Sequence, residues 1–331
     1  MTKAAPLTEI WRGDLLESLH RGHVAVVDEA GQLIWAQGDP EALIYPRSSC
    51  KMIQGLPLVT SGAADRYGLT PEHLALACAS HNAAQIHLDR VGAWMEQLGL
   101  EDEAFCCGPQ ESRDTEVREA MIRAHESPCR IHNNCSGKHA GFLTLTQYMR
   151  ASADYVAIDH PVQQAVRADF DQLTGVDSPG YAPDGCSAPN FQTTVTGLAR
   201  AMAWFARVQD GSGRLESAGQ RLREAMIAHP DLVAGEGRAC TRLMRACQGR
   251  AAIKTGAEGV FIAILPEQRL GIALKIEDGA TRAAECAIAA LLVRYGALDP
   301  AHPEARAYLD APIQNWDGLV TGVMKAGAAL R

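Results

Sequence analysis

Apolar and polar positions alternate with the period of β-strands in two stretches, one toward each end of the chain. Residues 23–37 contain two β-rich runs around a polar turn at 28–31, which predicts a hairpin. Residues 259–265 and 270–276 predict a second hairpin around a turn at 266–269. Strands are therefore expected near both ends of the sequence.

Between the two hairpins the apolar positions recur with the period of a helix. The predicted helices cover residues 48–60, 71–79, 87–98, 136–150, 161–174, 193–208 and 213–228, with a last one at 281–295. This order predicts an α+β fold, in which one antiparallel sheet is built from both termini and a helical lobe is inserted. We expect one domain, with a sheet lobe of about 1–47 and 250–331 and a helical lobe of about 48–249.

The composition fits a packed enzyme-sized domain and excludes several kinds of partner. The chain has 331 residues, of which 47% are apolar, and a net charge of −8 without a run of lysine or arginine. Nucleic-acid and membrane-surface partners are therefore not expected. No apolar run is long enough for a signal peptide or a membrane span, which predicts a cytoplasmic protein. In that compartment the ten cysteines should be free thiols or metal ligands.

Lysine is rare, with six residues against 25 arginines, and only lysine can lose its proton to act as a base. Ser48 and Lys51 form an S-x-x-K tetrad at the start of a predicted helix, with Ser48 or Ser49 near its N-cap. Residues three apart share a helix face, which would bring the hydroxyl near an amine able to take its proton. Alone, so short a pattern arises easily by chance.

Two further motifs follow in the chain. Ser80-His81-Asn82 is an S-x-N tripeptide after a predicted helix, and residues 254–256 are a K-T-G tripeptide before an apolar strand. In this order, S-x-x-K, S-x-N and K-T-G are the motif set of class A β-lactamases and penicillin-binding proteins. The chain differs from that set in its short first spacing and in having His81 where aspartate is usual.

Four segments resemble the rhizobial-type, or class 3, L-asparaginases: residues 47–51, 132–141, 184–186 and 254–259. The resemblance covers nearly the whole chain in motif order. It implies a serine β-lactamase-like fold and a homodimer. It also implies hydrolysis of the side-chain amide of L-asparagine to L-aspartate and ammonia, through a serine acyl-enzyme with lysine as the base.

The resemblance implies two serine–lysine pairs, Ser48 with Lys51 and Ser80 with Lys254. Either serine can be the nucleophile, and the predicted helix start favours Ser48 because its N–H groups would stabilise an oxyanion. Lys254 and Arg47 are candidates to hold the α-carboxylate of the substrate. The candidate substrate-binding residues are Arg47, Asn82, Thr255 and Gly256.

The resemblance also implies one zinc ion per chain, bound by Cys135, Lys138 and Cys186. Cys135 and Lys138 are three residues apart at a predicted helix start, and thiolates are good zinc ligands. His139 and Asp184 are candidates to orient these ligands. From the residues alone, these cysteines would be interpreted as buried thiols, the usual state of free cysteine.

Three other functions stay open. A glutaminase would share fold and mechanism, and one methylene of substrate is discriminated only modestly. A serine hydrolase acting on β-lactams or D-Ala peptides would also use these motifs. A ligand-binding or sensor protein would keep them without turnover.

Overall fold

The computed structural model describes residues 4–209 and 211–331. Its main sheet has the strand order β11-β12-β1-β2-β10-β9-β8, with β3 added on β2, and every pairing is antiparallel. Two small two-stranded sheets pair β4 with β7 and β5 with β6. The strands are β1 (Ala5–Arg12), β2 (Leu15–Val27), β3 (Leu33–Gln37), β4 (Leu43–Ile44), β5 (Tyr181–Pro183), β6 (Pro189–Phe191), β7 (Thr193–Thr194), β8 (Ala252–Thr255), β9 (Val260–Leu265), β10 (Leu270–Ile276), β11 (Asp310–Gln314) and β12 (Val320–Ala326).

The two ends of the chain meet in this sheet. Strand β1 pairs with β12 and β2 pairs with β10, so that Thr8 faces Ala326 and Val26 faces Ile272. The predicted α+β class with an antiparallel sheet from both termini is confirmed. Strands β1, β11 and β12 escaped prediction: β1 buries the neighbours Leu7 and Thr8, β11 buries no residue, and β12 buries only Met324 and Ala326.

Most of the chain between β4 and β8 is helical. Short 3₁₀ helices cover Arg47–Cys50, Asp102–Ala104, Arg130–His132 and Ala328–Leu330. The α-helices are α1 (Lys51–Gln54), α2 (Leu56–Thr60), α3 (Ala63–Arg66), α4 (Pro71–Ala77), α5 (Gln85–Leu98), α6 (Thr115–Ala124), α7 (Ser136–Met149), α8 (Pro161–Thr174), α9 (Val195–Arg207), α10 (Arg214–Ala228), α11 (Pro230–Val233), α12 (Ala239–Ala246), α13 (Thr281–Arg294) and α14 (Pro303–Leu309). The division into two lobes stays a prediction, and its residues 1–3 and 210 lie outside the described residues.

Helices cover both faces of the sheet. Every residue of β9 is buried, and a strand buried on both faces reads as a continuous apolar run. On one face α9 packs directly on β10 at Gly271, where a Cβ would collide with the backbone of Ala199 and Ala203. The Thr8 hydroxyl donates to the carbonyl of Ala283 at 3.1 Å, which ties β1 to α13.

The predicted helix at 48–60 is broken into three pieces, which corrects the sequence interpretation. A 3₁₀ turn, α1 and α2 follow one another, with Gly55 between the two α-helices. Pro57 has no N–H and cannot continue the hydrogen-bond ladder of α1. The predicted cap at Ser48 or Ser49 is also absent, since Pro46 occupies the N-cap of the 3₁₀ turn and no side chain caps it.

Candidate active site

Two lysine amines meet at one serine hydroxyl, a group we call the lysine–serine centre (Lys51, Ser80, Lys254). Lys51 Nζ lies 3.0 Å and Lys254 Nζ 2.8 Å from Ser80 Oγ. Both lysines are completely buried and Ser80 is only 5% exposed. The chain therefore places Ser80 between two amines in a site nearly closed to water.

Each member of the lysine–serine centre is held by its own element. Lys51 is the first residue of α1, and Lys254 lies on β8 at the edge of the sheet. Ser80 follows α4, and its N–H donates to the carbonyl of Val233 at 2.9 Å. Helix, loop and strand thus converge from positions far apart in sequence.

The K-T-G segment is packed closely against the turn that carries Ser48. A Cβ on Gly256 would lie 2.6 Å from the carbonyl oxygen of Pro46, so glycine allows this approach. The N–H of Gly256 donates to Val260 at 2.7 Å, and that of Thr255 donates to Cys240 Sγ at 3.2 Å. The amides of Thr255 and Gly256 are therefore already engaged.

The two lysines of the centre differ in their hydrogen bonds. Lys51 Nζ donates to the Ala79 carbonyl, Ser80 Oγ and Cys135 Sγ, the last at 3.1 Å, which uses the three N–H groups of an ammonium. Burial, and then the charge on Lys51, lowers the pKa of Lys254 to about 7. Lys254 is therefore the amine that can be neutral near pH 7 and receive the proton of Ser80.

Ser48 lies in the 3₁₀ turn and is half-buried. Among the described residues, no hydrogen bond of its hydroxyl or its N–H is recorded, to Lys51 or to any other group. The Lys51 amine reaches Ser80 instead. Ser48 thus has a free hydroxyl and a free amide, whereas the hydroxyl of Ser80 bonds two lysine amines and its N–H bonds Val233.

Arg47 precedes Ser48 with a φ of 54°, a left-handed conformation that a residue with a side chain rarely adopts. Its Nε donates to Asp184 at 2.7 Å and its N–H to the Asn190 side chain at 3.2 Å. Glu258 lies 4.0 Å from Arg47 and also has a positive φ, of 57°. A cavity of about 490 Å³ opens here, with walls that include Tyr45, Arg47, Asn190, Gln192, Glu258 and Lys275.

The S-x-N loop supports Ser80 from behind. Asn82 Oδ1 accepts from the N–H of Ala84 at 3.3 Å, and the Asn82 side chain packs over Gly235, which leaves no room for a Cβ. His81 Nε2 lies 3.0 Å from Ser136 Oγ. Burial holds the pKa of His81 well below its usual value, so this imidazole is neutral and structural.

The predicted metal ligands also converge, and we call them the thiol site (Cys135, Lys138, Cys186). Lys138 Nζ donates to Cys186 Sγ at 3.1 Å, and all three side chains are buried. Cys135 Sγ accepts from Lys51 at 3.1 Å. The thiol site and the lysine–serine centre therefore touch at one contact.

The pKa values of the two thiols of the thiol site shift in opposite directions. A hydrogen bond from Cys135 to Cys186 raises the pKa of Cys135 well above its usual value and lowers that of Cys186 well below. Burial opposes a charge on Lys138, but Cys186 and then Cys135 outweigh it and raise the pKa of Lys138. The pKa shifts of Cys186 and Lys138 both favour the charged form of each side chain, an anion beside a cation.

This donor set fits zinc in its chemistry. Within residues 4–209 and 211–331, no group of three or more His, Cys, Asp and Glu side chains is placed to hold a metal ion. The thiol site instead offers two sulfur atoms, the preferred zinc ligands, and one amine nitrogen. The candidate orienting residues are near in the chain, since His139 follows Lys138 in α7 and Asp184 lies two residues before Cys186.

Sequence reasoning missed three residues of this region. Glu258 lies in the segment 254–259 that the motifs already marked, so its position offered a signal. Cys240 accepts from Thr255, and Tyr155 bonds His139 at 2.8 Å. Nothing in the sequence near Cys240 or Tyr155 pointed to these contacts.

A hydroxyl between two buried amines, one with its pKa near 7, is the arrangement of a serine hydrolase that uses lysine as its base. The sequence model of the L-asparaginase II family matches residues 8–326. The chain belongs to this family, whose members are amidohydrolases.

Several solved structures are similar to the chain. One is Mglu in its Tris and glutamate form, at 13% identity and a TM-score of 0.49, covering 90% of this chain. The chain spans 64% of the length of that protein. A putative β-lactamase from Bacteroides dorei has 11% identity, a TM-score of 0.40 and coverage of 77% of this chain and 84% of its own. A β-lactamase from Mycobacterium bovis has 12% identity, a TM-score of 0.44 and coverage of 83% and 94%. A search among curated proteins matches none to this chain.

Proposed function

We propose that the protein is an L-asparaginase, which hydrolyses the side-chain amide of L-asparagine to L-aspartate and ammonia. The observation that carries this proposal is the Ser80 hydroxyl held between Lys51 and Lys254, in a chain matched by the L-asparaginase II family. A serine hydroxyl needs a neighbouring base before it can attack an amide carbon. Two buried amines that share one proton through Ser80 supply that base.

In this mechanism Ser48 is the nucleophile. Its hydroxyl has no recorded partner among the described residues, and it follows Arg47, which lines the 490 Å³ cavity. When Ser80 passes a proton from Lys51 to neutral Lys254, Lys51 becomes free to accept the proton of Ser48. Lys51 lies one turn after Ser48 in the chain. Lys51, which now carries the proton of Ser48, gives it to the leaving amide nitrogen, so that ammonia leaves and an ester of Ser48 remains. Water then hydrolyses this acyl-enzyme.

The geometry also favours a second candidate nucleophile. Ser80 itself faces the amine whose pKa is about 7, and it needs no relay to lose its proton. Mass spectrometry of the enzyme quenched with a slow ester substrate locates the acyl group on one peptide. We expect it on Ser48, and acylation of Ser80 in the wild type would reverse the assignment. Ser48→Ala should lose at least about a thousandfold of kcat while staying folded.

Two backbone N–H groups are candidates to bind the oxyanion of the tetrahedral intermediate. Within the described residues, the N–H groups of Ser48 and of exposed Ala257 have no recorded partner. Donors fixed in advance around a developing oxyanion are among the strongest contributions to catalysis. Ala257 is the residue directly after the K-T-G tripeptide.

The cavity beside Arg47 suits a small zwitterion. Arg47 provides a guanidinium for the α-carboxylate, and Glu258 provides a carboxylate for the α-ammonium group. The salt bridge to Asp184 keeps Arg47 from turning away. A substrate with both charged groups on one carbon fits this pair better than a β-lactam, which has no ammonium group on its ring.

We further propose one zinc ion per chain at the thiol site. Cys135, Lys138 and Cys186 would hold it, with His139 and Asp184 around them; the two sulfurs and the convergent amine support this. Zinc bound there would act as a Lewis acid and a structural clamp beside the substrate cavity. Lys138 has to be neutral to bind, and a cation that takes up the thiolate charge favours that form.

We also propose that the protein is a homodimer located in the cytoplasm. All ten cysteines are free, which suits a reducing compartment. Within the described residues, no helix is long and apolar enough to cross a membrane. Trp316, Leu319 and Val320 expose apolar surface near β12, which suits a contact between chains. Sedimentation equilibrium at micromolar concentration should give twice the mass of 35.5 kDa.

The decisive experiment compares ammonia release from L-asparagine and L-glutamine with turnover of a chromogenic β-lactam. We expect kcat/KM for asparagine to exceed that for glutamine by about 10 to 200, the range that one methylene provides. We expect no turnover of the β-lactam. A preference for glutamine would make the protein a glutaminase. Binding of asparagine without any release of ammonia would make it a sensor.

A further inference from the structure

Lys275 is the one charged residue of strand β10, and it lies at the substrate cavity. The other six residues of this strand are glycine or apolar and all of them are buried, whereas Lys275 is only half-buried. Its side chain lines the cavity of about 490 Å³ together with Arg47 and Glu258. The proposed catalytic steps do not use this lysine, so its place in the cavity wall calls for another role.

The amine of Lys275 contacts the turn that joins β8 to β9. In this turn the N–H of Gly256 donates to Val260 at 2.7 Å and the N–H of Val260 donates to Ala257 at 3.3 Å, which makes Glu258 and Gly259 the central residues. Both central residues have a positive φ, 57° and 69°, as in a type I′ turn. Asparagine, aspartate and glycine are the residues usual at these positions, so the backbone of Glu258 is strained.

A strained residue keeps its conformation only where its surroundings hold it. Two neighbours on β10 hold this turn: the amine of Lys275 donates to the carbonyl of Glu258, and the N–H of Ile276 donates to the carbonyl of Gly259 at 2.9 Å. In the part of the chain that the structure describes, no other donor to the Glu258 carbonyl is recorded. Lys275 therefore fixes the peptide group at the centre of the turn.

The backbone has to set the direction of the Glu258 side chain, because little else does. This side chain is 71% exposed, and its one ion pair recorded within residues 4–209 and 211–331 is the 4.0 Å contact with Arg47. The value of φ decides on which side of the turn the Cβ of Glu258 leaves the backbone. The hydrogen bond from Lys275 thus controls where the carboxylate lies in the cavity.

We propose that Lys275 is a positioning residue for substrate recognition: its amine holds Glu258 in the left-handed conformation that directs the carboxylate at the α-ammonium group of the substrate. The inference rests on the proposed L-asparaginase activity and on the cavity beside Arg47 as the site of the amino-acid head. A hydrogen bond between two charged groups is worth about 10- to 100-fold in binding, and a misdirected carboxylate loses it.

The test compares L-asparagine with succinamic acid, which keeps the amide and the carboxylate but lacks the α-ammonium group. In the wild type, kcat/KM for asparagine should exceed that for succinamic acid by about 10- to 100-fold. Lys275→Met should lower this ratio at least about fivefold, through a higher KM for asparagine, because the serine and lysine chemistry is unchanged. Circular dichroism checks that the variant folds.

Two further variants separate the role of the amine from that of the carboxylate. Glu258→Gln should lower the ratio as Lys275→Met does, and the double variant should lower it no further, because Lys275 acts through Glu258. Lys275→Arg should keep the ratio, since a guanidinium can also donate to a carbonyl.

Hydrogen exchange of the Val260 N–H gives a second readout that does not depend on activity. This amide closes the turn on Ala257, so its exchange should become at least about tenfold faster in Lys275→Met. Its exchange in Glu258→Gln should equal that of the wild type, because glutamine keeps the backbone carbonyl that Lys275 binds.

Lys325→Met is the matched control. Lys325 is also a half-buried lysine on a strand of the main sheet, but it lies on β12 and does not line the cavity. Both the substrate ratio and the exchange of the Val260 amide should remain those of the wild type.

The results that would overturn the inference differ from those that would overturn the amidase. If Lys275→Met lowers kcat/KM equally for asparagine and succinamic acid, Lys275 binds the carboxylate or only supports the fold. An unchanged ratio, or unchanged exchange at Val260, removes the positioning role while the asparaginase proposal stands. A wild-type protein that releases no ammonia from asparagine ends both proposals.

Discussion

Lys254 and Lys138 are two buried lysines whose surroundings have opposite effects on their protons. Lys254 faces a hydroxyl, a carbonyl and the charged amine of Lys51, and burial lowers its pKa to about 7. Lys138 is just as buried, but the thiolate of Cys186 raises its pKa. Burial alone therefore does not decide whether a lysine is charged; the sign of the nearest partner does.

This difference gives the lysine–serine centre and the thiol site different chemical roles. In the lysine–serine centre, a neutral amine can accept a proton. In the thiol site, the positive charge of Lys138 offsets the negative charge of Cys186, and a metal cation can take over that role. Lys51 joins them, because it bonds Ser80 on one side and Cys135 on the other. Changes at either lysine should therefore be distinguishable by what they do to kcat, to KM and to metal content.

The largest effect should come from Lys254. Both Lys254→Met and Lys254→Arg should lower kcat about a thousandfold or more, because methionine cannot accept a proton and arginine cannot give one up. Ammonia release measures the loss, and circular dichroism checks the fold. Lys325→Met, on β12 and away from the site, is the control and should keep full activity. An active Lys254→Arg enzyme would show that only the positive charge matters.

A smaller effect should appear in the pH profile. Because Lys254 must be neutral, kcat/KM should rise about tenfold per pH unit below pH 7 and level off above it. Between pH 5 and 7 the change is therefore about a hundredfold. Lys138, whose pKa is raised, should add no limb in this range. Initial rates at subsaturating asparagine measure the profile, and a flat profile from pH 5 to 8 would contradict the assignment of Lys254.

Removing the metal should affect substrate binding more than chemistry. Cys186→Ala should lose the zinc and raise KM about tenfold, with kcat within about threefold of the wild type. Cys186 is preferable to Cys135 here, since only Cys135 bonds Lys51. Elemental analysis gives the metal content. If kcat of the metal-free variant falls a thousandfold while KM stays the same, the thiol site belongs to the chemical step.

The smallest effect should be on stability, with opposite signs for the two lysines. The pKa of Lys254 is lower in the folded chain than in the unfolded chain, so the unfolded state binds more protons between about pH 7 and 10.5. Lys254 therefore costs stability below pH 7, and that cost disappears as the pH rises to 10.5. Lys254→Met should raise Tm by about 2 to 6 °C at pH 7, and Lys138→Met should lower it. Calorimetry at pH 7 and 10 checks both signs.

The motifs predicted only part of the contacts in the site, because no hydrogen bond joins Ser48 to Lys51 among the described residues. Ser80 with Lys254 was expected from the resemblance, and their contact is 2.8 Å. The contact of Lys51 with Ser80 was beyond the sequence, because it depends on where α4 ends and on the loop at Val233. The break at Pro57 was readable in principle, since proline interrupts a helix.

The sequence could not predict the charge states of the buried lysines, because these depend on groups that are far apart in the chain. The charge states of Lys138 and Lys254 follow from which groups lie within a few ångströms of each amine, and spacing along the chain does not contain that information. The Tyr155–His139 contact is of the same kind. It joins a loop to a helix through two polar atoms, without any apolar pattern to signal it.

Because β1 pairs with β12 and β2 pairs with β10, the main sheet can be completed only late in translation. The first strands leave the ribosome early, but their partners are residues 270–276 and 320–326, which are made near the end of translation. Contacts between residues so far apart in sequence form slowly. The edge of β2 that pairs with β10 stays unpaired for most of synthesis. Until β10 has been made, this exposed edge can pair with the wrong strand or with another chain. A chain that stopped after residue 300 would contain every catalytic residue named above, yet it would lack the strand that completes the sheet beside β1.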